Sequence, residues 1–385
     1  MLSFLKNKLI ATDRKPMYDR QIVFLALTLI CIGFIMIFSS SITQATNKFD
    51  EPFFYGKRDL MALLVALFCG FLVLFVPVEF YKKHDLKLLI FGIVCLLLVL
   101  LVGSEINKAK RWIKHGVMNV QPSEIMKLCW IVYLSSFLTR KREEVTKKLR
   151  AFVKQLALFG VIVALLLCQP DYGSSAVLFG IMLGLLFIGG ANLLSYISGA
   201  VLMCVLMVVF AVFEPYRLIR LTTFLDPWVE PFGKGYQLTQ SLMAFGRGGL
   251  YGEGLGNSVQ KMEYLPEAHT DFVFAILGEE LGFIGVCAVI LLEMWLVWRL
   301  FIISKRFLKA SELFSGYVSF GVGLMIAIQT VINIGAASGM LPTKGLTLPL
   351  ISYGGSSMMM MLMALALVLR LDYEFRLKRQ HIETK

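Results

Sequence analysis

The chain has 385 residues, with 38 Lys and Arg against 26 Asp and Glu, a formal charge of +12, and 57% hydrophobic residues. Soluble domains hold roughly 45–50% apolar residues, so this composition, with a mean hydropathy of +0.74, excludes an ordinary water-soluble globule. It also argues against nucleic-acid binding, because the basic clusters alternate with long apolar runs and no reader motif accompanies them.

A bilayer core needs about 20 apolar residues per helix. In chain order the apolar runs predict ten spans, at 22–40, 60–78, 88–103, 122–138, 155–168, 174–190, 194–213, 272–298, 314–336 and 356–369. The expected fold is an all-α integral membrane protein with a large extracytoplasmic loop, 214–270, between helices 7 and 8. Residues 1–19 and 372–385 are expected as cytoplasmic tails around a membrane body of 20–371. Ten spans put both termini on one side, and that side collects the dense basic runs, including Arg140, Lys141, Arg142, Lys147, Lys148 and Arg150. The positive-inside rule makes it cytoplasmic. The polar, basic first 20 residues and the absence of an Ala-x-Ala site after the first span give no sign of a cleaved signal peptide. All seven cysteines lie in or beside spans without Cys-x-x-Cys spacing, and read as small buried hydrophobes.

The outward segments carry the unusual content. Between Ser104 and Leu128 lie Lys108, Lys110, Arg111 and Lys114, on the side where basic residues should be sparse. They suit an anionic ligand such as a phosphate, or a solvated run beside lipid headgroups. Trp112 suits an interfacial anchor. Pro122 suits the first turn of a helix, and Glu124 and Lys127, one turn apart, can pair. The reversal Cys168–Ser175 places Asp171 near a helix start, where a carboxylate caps the helix more readily than it catalyses.

The loop 214–270 is rich in Gly and Pro, yet its aromatics, among them Tyr216, Phe224, Trp228, Tyr236, Phe245 and Tyr264, argue for order. Its run Gly246–Lys261 has neither the spacing nor the context of a nucleotide-binding loop. The loop ends in YLPEAHTDFVFA, which sets Glu267, His269 and Asp271 at the lip of the next span. Ionisable groups are costly there and mark function. Glu279 and Glu280 lie about 12–14 Å further along an ideal helix, and a buried pair with a basic residue suits one of them. The last outward segment, Ala337–Ser357, holds Lys344 as its single charge and is kept irregular by Pro342 and Pro349. The helices starting near Pro122, Ser174, Phe272 and Ser356 all begin outward. If their positive ends converge beside Arg111 and Lys344, they form a diphosphate site.

The ordered set RWI, QPSE, QPDYGSS, FLDPW, GYQLTQS, GLGNSVQK, LPEAHTDFVFA and LPTKGLTLPLISYGGSS resembles the SEDS family of cell-wall polymerases over about Tyr18 to Arg376. The last two motifs look most like its cell-division branch. Glu230-Pro231 departs conservatively from the family's usual Asp-Pro. The resemblance implies ten transmembrane helices and a peptidoglycan glycosyltransferase acting on lipid II. It also implies a partner transpeptidase of the class B penicillin-binding protein type, other division proteins, and the inner membrane at the division septum. The family's essential carboxylate maps onto Asp271.

In that reading Asp271 is the general base, with undecaprenyl-diphosphate-linked glycan as donor and lipid II as acceptor. Lys110, Arg111 and Lys344 stabilise the departing diphosphate, with helix N-termini or a divalent cation such as Mg or Mn. Trp112, Gln121, Ser123, Glu267, His269, Tyr353 and Ser356 are expected as further substrate contacts, and Glu124, Lys127, Asp171, Glu279 and Glu280 as structural. No other cofactor is required. A lipid II flippase and a non-catalytic division scaffold are the alternatives. The first should have a continuous polar path, which the nearly charge-free span centres lack. The second leaves Asp271 unexplained.

Overall fold

The computed structural model describes residues 17–106, 109–115, 118–147, 149–192, 196–202, 204–205, 224–343 and 345–383. Nine of the ten predicted spans fall on helices. These are α1 (Arg20–Phe49), α2 (Phe54–Val73), α4 (Asp85–Val102), α5 (Pro122–Arg140), α7 (Leu149–Cys168), α8 (Tyr172–Ile188), α10 (Val273–Lys309), α11 (Leu313–Ala337) and α12 (Gly355–Glu383). Short α3 (Val78–Lys83) and α6 (Arg142–Lys147) lie between them. The predicted span at 194–213, with Tyr216 beyond it, lies mostly outside the described residues; the described part, 196–202 and 204–205, is helical. Helices α1, α4, α10, α11 and α12 are long and apolar enough to cross a membrane by themselves.

Local chemistry sets several helix ends. Asp19 caps α1 by accepting from the Gln21 and Ile22 amides, as a short acidic side chain does at an N-cap. Pro122 opens α5, where its missing N–H costs nothing. α12 runs past its apolar core because Asp372 pairs with Arg306 and Arg376, and Phe375 packs edge-on against Phe307. The segment expected as a tail from 372 therefore continues the helix to Glu383.

Helix α5 lies in the core, with Met126, Trp130, Ile131 and Leu134 fully buried. Lys127 is equally buried, and its ammonium sits 2.7 Å from Glu124; pairing within one turn offsets part of the cost of burying either charge. Large apolar side chains such as Phe68, Phe71, Leu97 and Trp298 are exposed on α2, α4 and α10. On helices of this length they face lipid.

Two features depart from the expectation of an all-α fold with an unbroken loop over 214–270. Ser104–Ile106 (β1), Ala109–His115 (β2) and Met118–Val120 (β3) form a small antiparallel sheet, with Ile113 opposite Val120. Strands this short leave little periodic signal. Within the large loop, Tyr236–Gly248 is a helix, α9, which buries Leu238, Ser241 and Ala244 and ties to α11 through Ser241 Oγ donating to the Ala337 carbonyl at 2.6 Å.

Helix α10 is broken. Gly282 has φ +66°, ψ −168°, a region open essentially to glycine. The loop at 249–254 repairs the break: Glu253 and Gly254 donate to the Glu279 and Glu280 carbonyls, and Phe283 and Ile284 donate to the Gly249 and Leu250 carbonyls, all within 3.2 Å. Irregular backbone survives at membrane depth only where such partners exist.

Candidate functional site

Four helix starts meet at one end of the bundle. Ser174 Oγ of α8 donates to Ser123 Oγ of α5 at 3.2 Å. Gly173 lies so close to Leu346 that an added Cβ would stand 2.8 Å from its side chain. The Leu346 carbonyl accepts from Asn333 Nδ2 at 2.6 Å, and the same nitrogen donates to the Asp271 carbonyl at 2.9 Å, just ahead of α10. Thr347 donates to Ser357, in the first turn of α12, at 2.9 Å. The positive helix ends therefore share one region.

Asp271 is half-buried there. Its carboxylate lies against Gly345: a Cβ built on that residue would come 3.0 Å from Oδ2. Lys344, the neighbour of Gly345, lies outside the described residues. The turn before Asp271 is fixed by Glu267, whose φ is +56°. Its carbonyl accepts from the Thr270 and Phe272 amides, and its carboxylate accepts from Thr270 Oγ1 at 2.8 Å.

His269 is buried, with its ring 4.6 Å from Tyr55 and 5.5 Å from Tyr353 between centroids. The Tyr353 amide donates to its carbonyl at 3.1 Å. Ser356 is buried, and neither its hydroxyl nor His269 Nδ1 has a hydrogen-bond partner among the described residues. Burial holds the His269 imidazole down at about 4, against an upward pull from Glu267 and a further downward push from Lys48. Above the ordinary value of 6.5 both folded and unfolded chains carry a neutral ring. Between 6.5 and 4 the unfolded chain binds a proton that the folded one refuses, so stability falls as pH falls through this window. His269→Phe keeps the aromatic packing and should flatten thermal stability over that range in detergent. An unchanged pH dependence would place its origin elsewhere.

The second group stands beside the first. Arg111 on β2 donates from Nε to the Gln169 carbonyl at 3.0 Å and from a terminal nitrogen to the Pro170 carbonyl, so its guanidinium closes the turn between α7 and α8. Lys110 is exposed and Trp112 half-buried. The side chains of Lys108 and Lys114 are not among those described. Asp171 caps α8 through the Ser174 amide at 3.1 Å and accepts from Gln121 at 3.2 Å.

Glu279 and Glu280 form a third, separate group at the C-terminal end of the first segment of α10. Carboxylates are disfavoured at that end of a helix, and both have basic partners. Glu280 pairs with buried Lys261 at 2.8 Å and accepts from Ser39 of α1. Glu279 lies 3.6 Å from Arg247 and accepts from the Ser258 hydroxyl and the Val259 and Gln260 amides. Lys261, Ser39 and Arg247 were not singled out in the sequence, and neither was Asn333. The signal for Asn333 was present: a carboxamide between Ile332 and Ile334 in an apolar helix needs partners.

A family model described as cell cycle protein, for FtsW, RodA and SpoVE, matches residues 19–377. The chain is 49% identical over 370 residues to a probable peptidoglycan glycosyltransferase FtsW of Tolumonas auensis, covering 96% of each chain. It is 47% identical over 370 residues to a protein of the same name from Escherichia coli O157:H7, covering 96% of this chain and 89% of that one. Solved structures are similar as well, two of them as follows. One comes from work on the structural coordination of polymerization and crosslinking by a peptidoglycan synthase complex, with TM-score 0.75, 29% identity, and coverage of 93% of this chain and 98% of that one. The other is the rod shape determining protein RodA of Thermus thermophilus, with TM-score 0.68, 28% identity, and coverage of 92% and 96%.

Proposed function

This chain belongs to the FtsW, RodA and SpoVE family of cell cycle proteins, and we propose on that footing that it joins lipid II units into glycan strands with Asp271 as general base. It is a multi-pass membrane protein and a peptidoglycan glycosyltransferase of the FtsW type. The observation that carries the assignment of the site is the placement of Asp271: a half-buried carboxylate where four helix starts meet, pressed against a backbone with no side chain.

The chemistry follows from that placement. Asp271 takes the proton from the 4-hydroxyl of the acceptor GlcNAc as its oxygen attacks C1 of the donor MurNAc. The bond to the diphosphate breaks on the opposite face, so the centre inverts and a β-1,4 link forms. Helix N-termini favour the departing anion, and Lys110 and Arg111 would add positive charge; Lys344, outside the described residues, is the third candidate for that role. Among the described residues no group of three or more His, Cys, Asp and Glu is placed to hold a metal ion; a divalent cation bound with the lipid diphosphate is part of the proposal. Trp112, Gln121, Glu267 and Tyr353, which are exposed or half-buried, are the candidate sugar and lipid contacts; Ser123, His269 and Ser356, expected to join them, are buried and act from beneath the surface.

We place the protein in the bacterial inner membrane at the septum, with cytoplasmic termini, beside a class B penicillin-binding protein and other division proteins. The resemblance to a chain of a complex that couples polymerization to crosslinking supports that partner. The test is purified protein in proteoliposomes with lipid II and a partner lacking transpeptidase activity. Glycan ladders are the expected product. Lipid II crossing the bilayer without polymer would mean a flippase.

A further inference from the structure

We infer that Asn333 is a positioning residue for the polymerisation reaction, clamping the backbone of Asp271 to that of Leu346 so that Gly345 sets the place of the Asp271 carboxylate. The inference rests on the reading of Asp271 as general base.

Asn333 lies near the end of α11, fully buried. Its single amide nitrogen donates to two carbonyls that are distant in sequence, those of Asp271 and Leu346, at 2.9 and 2.6 Å. Its Oδ1 has no hydrogen-bond partner among the described residues. The orientation is fixed by this pattern, because a flipped amide would set its oxygen against two carbonyl oxygens and lose both bonds. Leaving Oδ1 unpartnered costs free energy, so the position is not one that packing alone would give to Asn.

The two clamped carbonyls belong to the two segments that meet at the carboxylate. Gly345 immediately precedes Leu346, and an added Cβ at Gly345 would lie 3.0 Å from Asp271 Oδ2. Asn333 holds the two segments together, and Gly345 sets how near the carboxylate can come. A base displaced by about 1 Å loses about 100-fold in rate.

The test measures initial rates and glycan lengths for Asn333→Ala, Asn333→Asp and Gly345→Ala, with lipid II and the transpeptidase-inactive partner. Chain length reads elongation against release in each active molecule, so it does not move when a variant merely folds in lower yield. All three variants should polymerise about 100-fold more slowly and make shorter glycans. Gly345→Ala reaches the carboxylate without touching the clamp, so it reports even if the Asn333 variants fold poorly. Wild-type rate and chain length in Gly345→Ala, or reduced yield with unchanged length in the Asn333 variants, would overturn the inference. Full activity in Asp271→Asn would instead remove the reading of the base on which it rests.

Discussion

Gly282→Val unfolds or fails to accumulate. Its φ of +66° with ψ −168° costs an L side chain on the order of 3 kcal/mol. The clash is additional: a Cβ there would lie 2.3 Å from the Gly252 amide nitrogen, and one at Gly252 would lie 2.2 Å from the Glu280 carbonyl oxygen. Neither obstacle is a flexible side-chain tip, so the four backbone hydrogen bonds that bridge the break in α10 would be lost together. Yield and thermal midpoint in detergent check this. Gly246→Ala is the control with the opposite sign. It lies within α9 with nothing among the described residues within 4 Å of the added Cβ, so it should stabilise by up to about 1 kcal/mol through helix propensity.

Asp271→Asn is the second large effect, and it acts on chemistry without disturbing the fold. The amide has nearly the volume of the carboxylate, so its fit against Gly345 survives. The Asn333 bond goes to the main-chain carbonyl of residue 271 and is indifferent to the side chain. Its chemical effect is the loss of proton acceptance from the attacking hydroxyl, a contribution of about 10²–10⁴ in rate. Asp271→Glu keeps the acid but moves it one methylene away from the place it holds beside Gly345, so it should rescue poorly.

Local pattern carried most of what the sequence revealed. Apolar runs located nine helices, and the polar stretch before α10 located Glu267, His269 and Asp271, because ionisable residues beside a span stand out against their surroundings. The cap at Asp171 and the pair Glu124–Lys127 were legible for the same reason: each interaction closes within one turn. What was hidden depends on contacts across tens to hundreds of positions. Ser39 meets Glu280 from 241 residues away, and Asn333 reaches Asp271 across 62. The glycines of the loop were readable as permissive, but not as the pairs that face each other across a broken helix. Arg111 read as an anion ligand from its charge alone; its bonds to the Gln169 and Pro170 carbonyls are set by a turn that only the fold brings near. Glu279 and Glu280 suggested one buried pair, and the fold supplies basic partners to both.

The central claim is that Asp271 is the base of a lipid II polymerase. The most direct measurement runs wild type and Asp271→Asn side by side, each purified with a transpeptidase-inactive partner, on lipid II, with products resolved by glycan length. Polymer from wild type, and none from a variant that purifies in equal yield and keeps its partner, is the predicted result. Polymer of equal amount and length from both would contradict it.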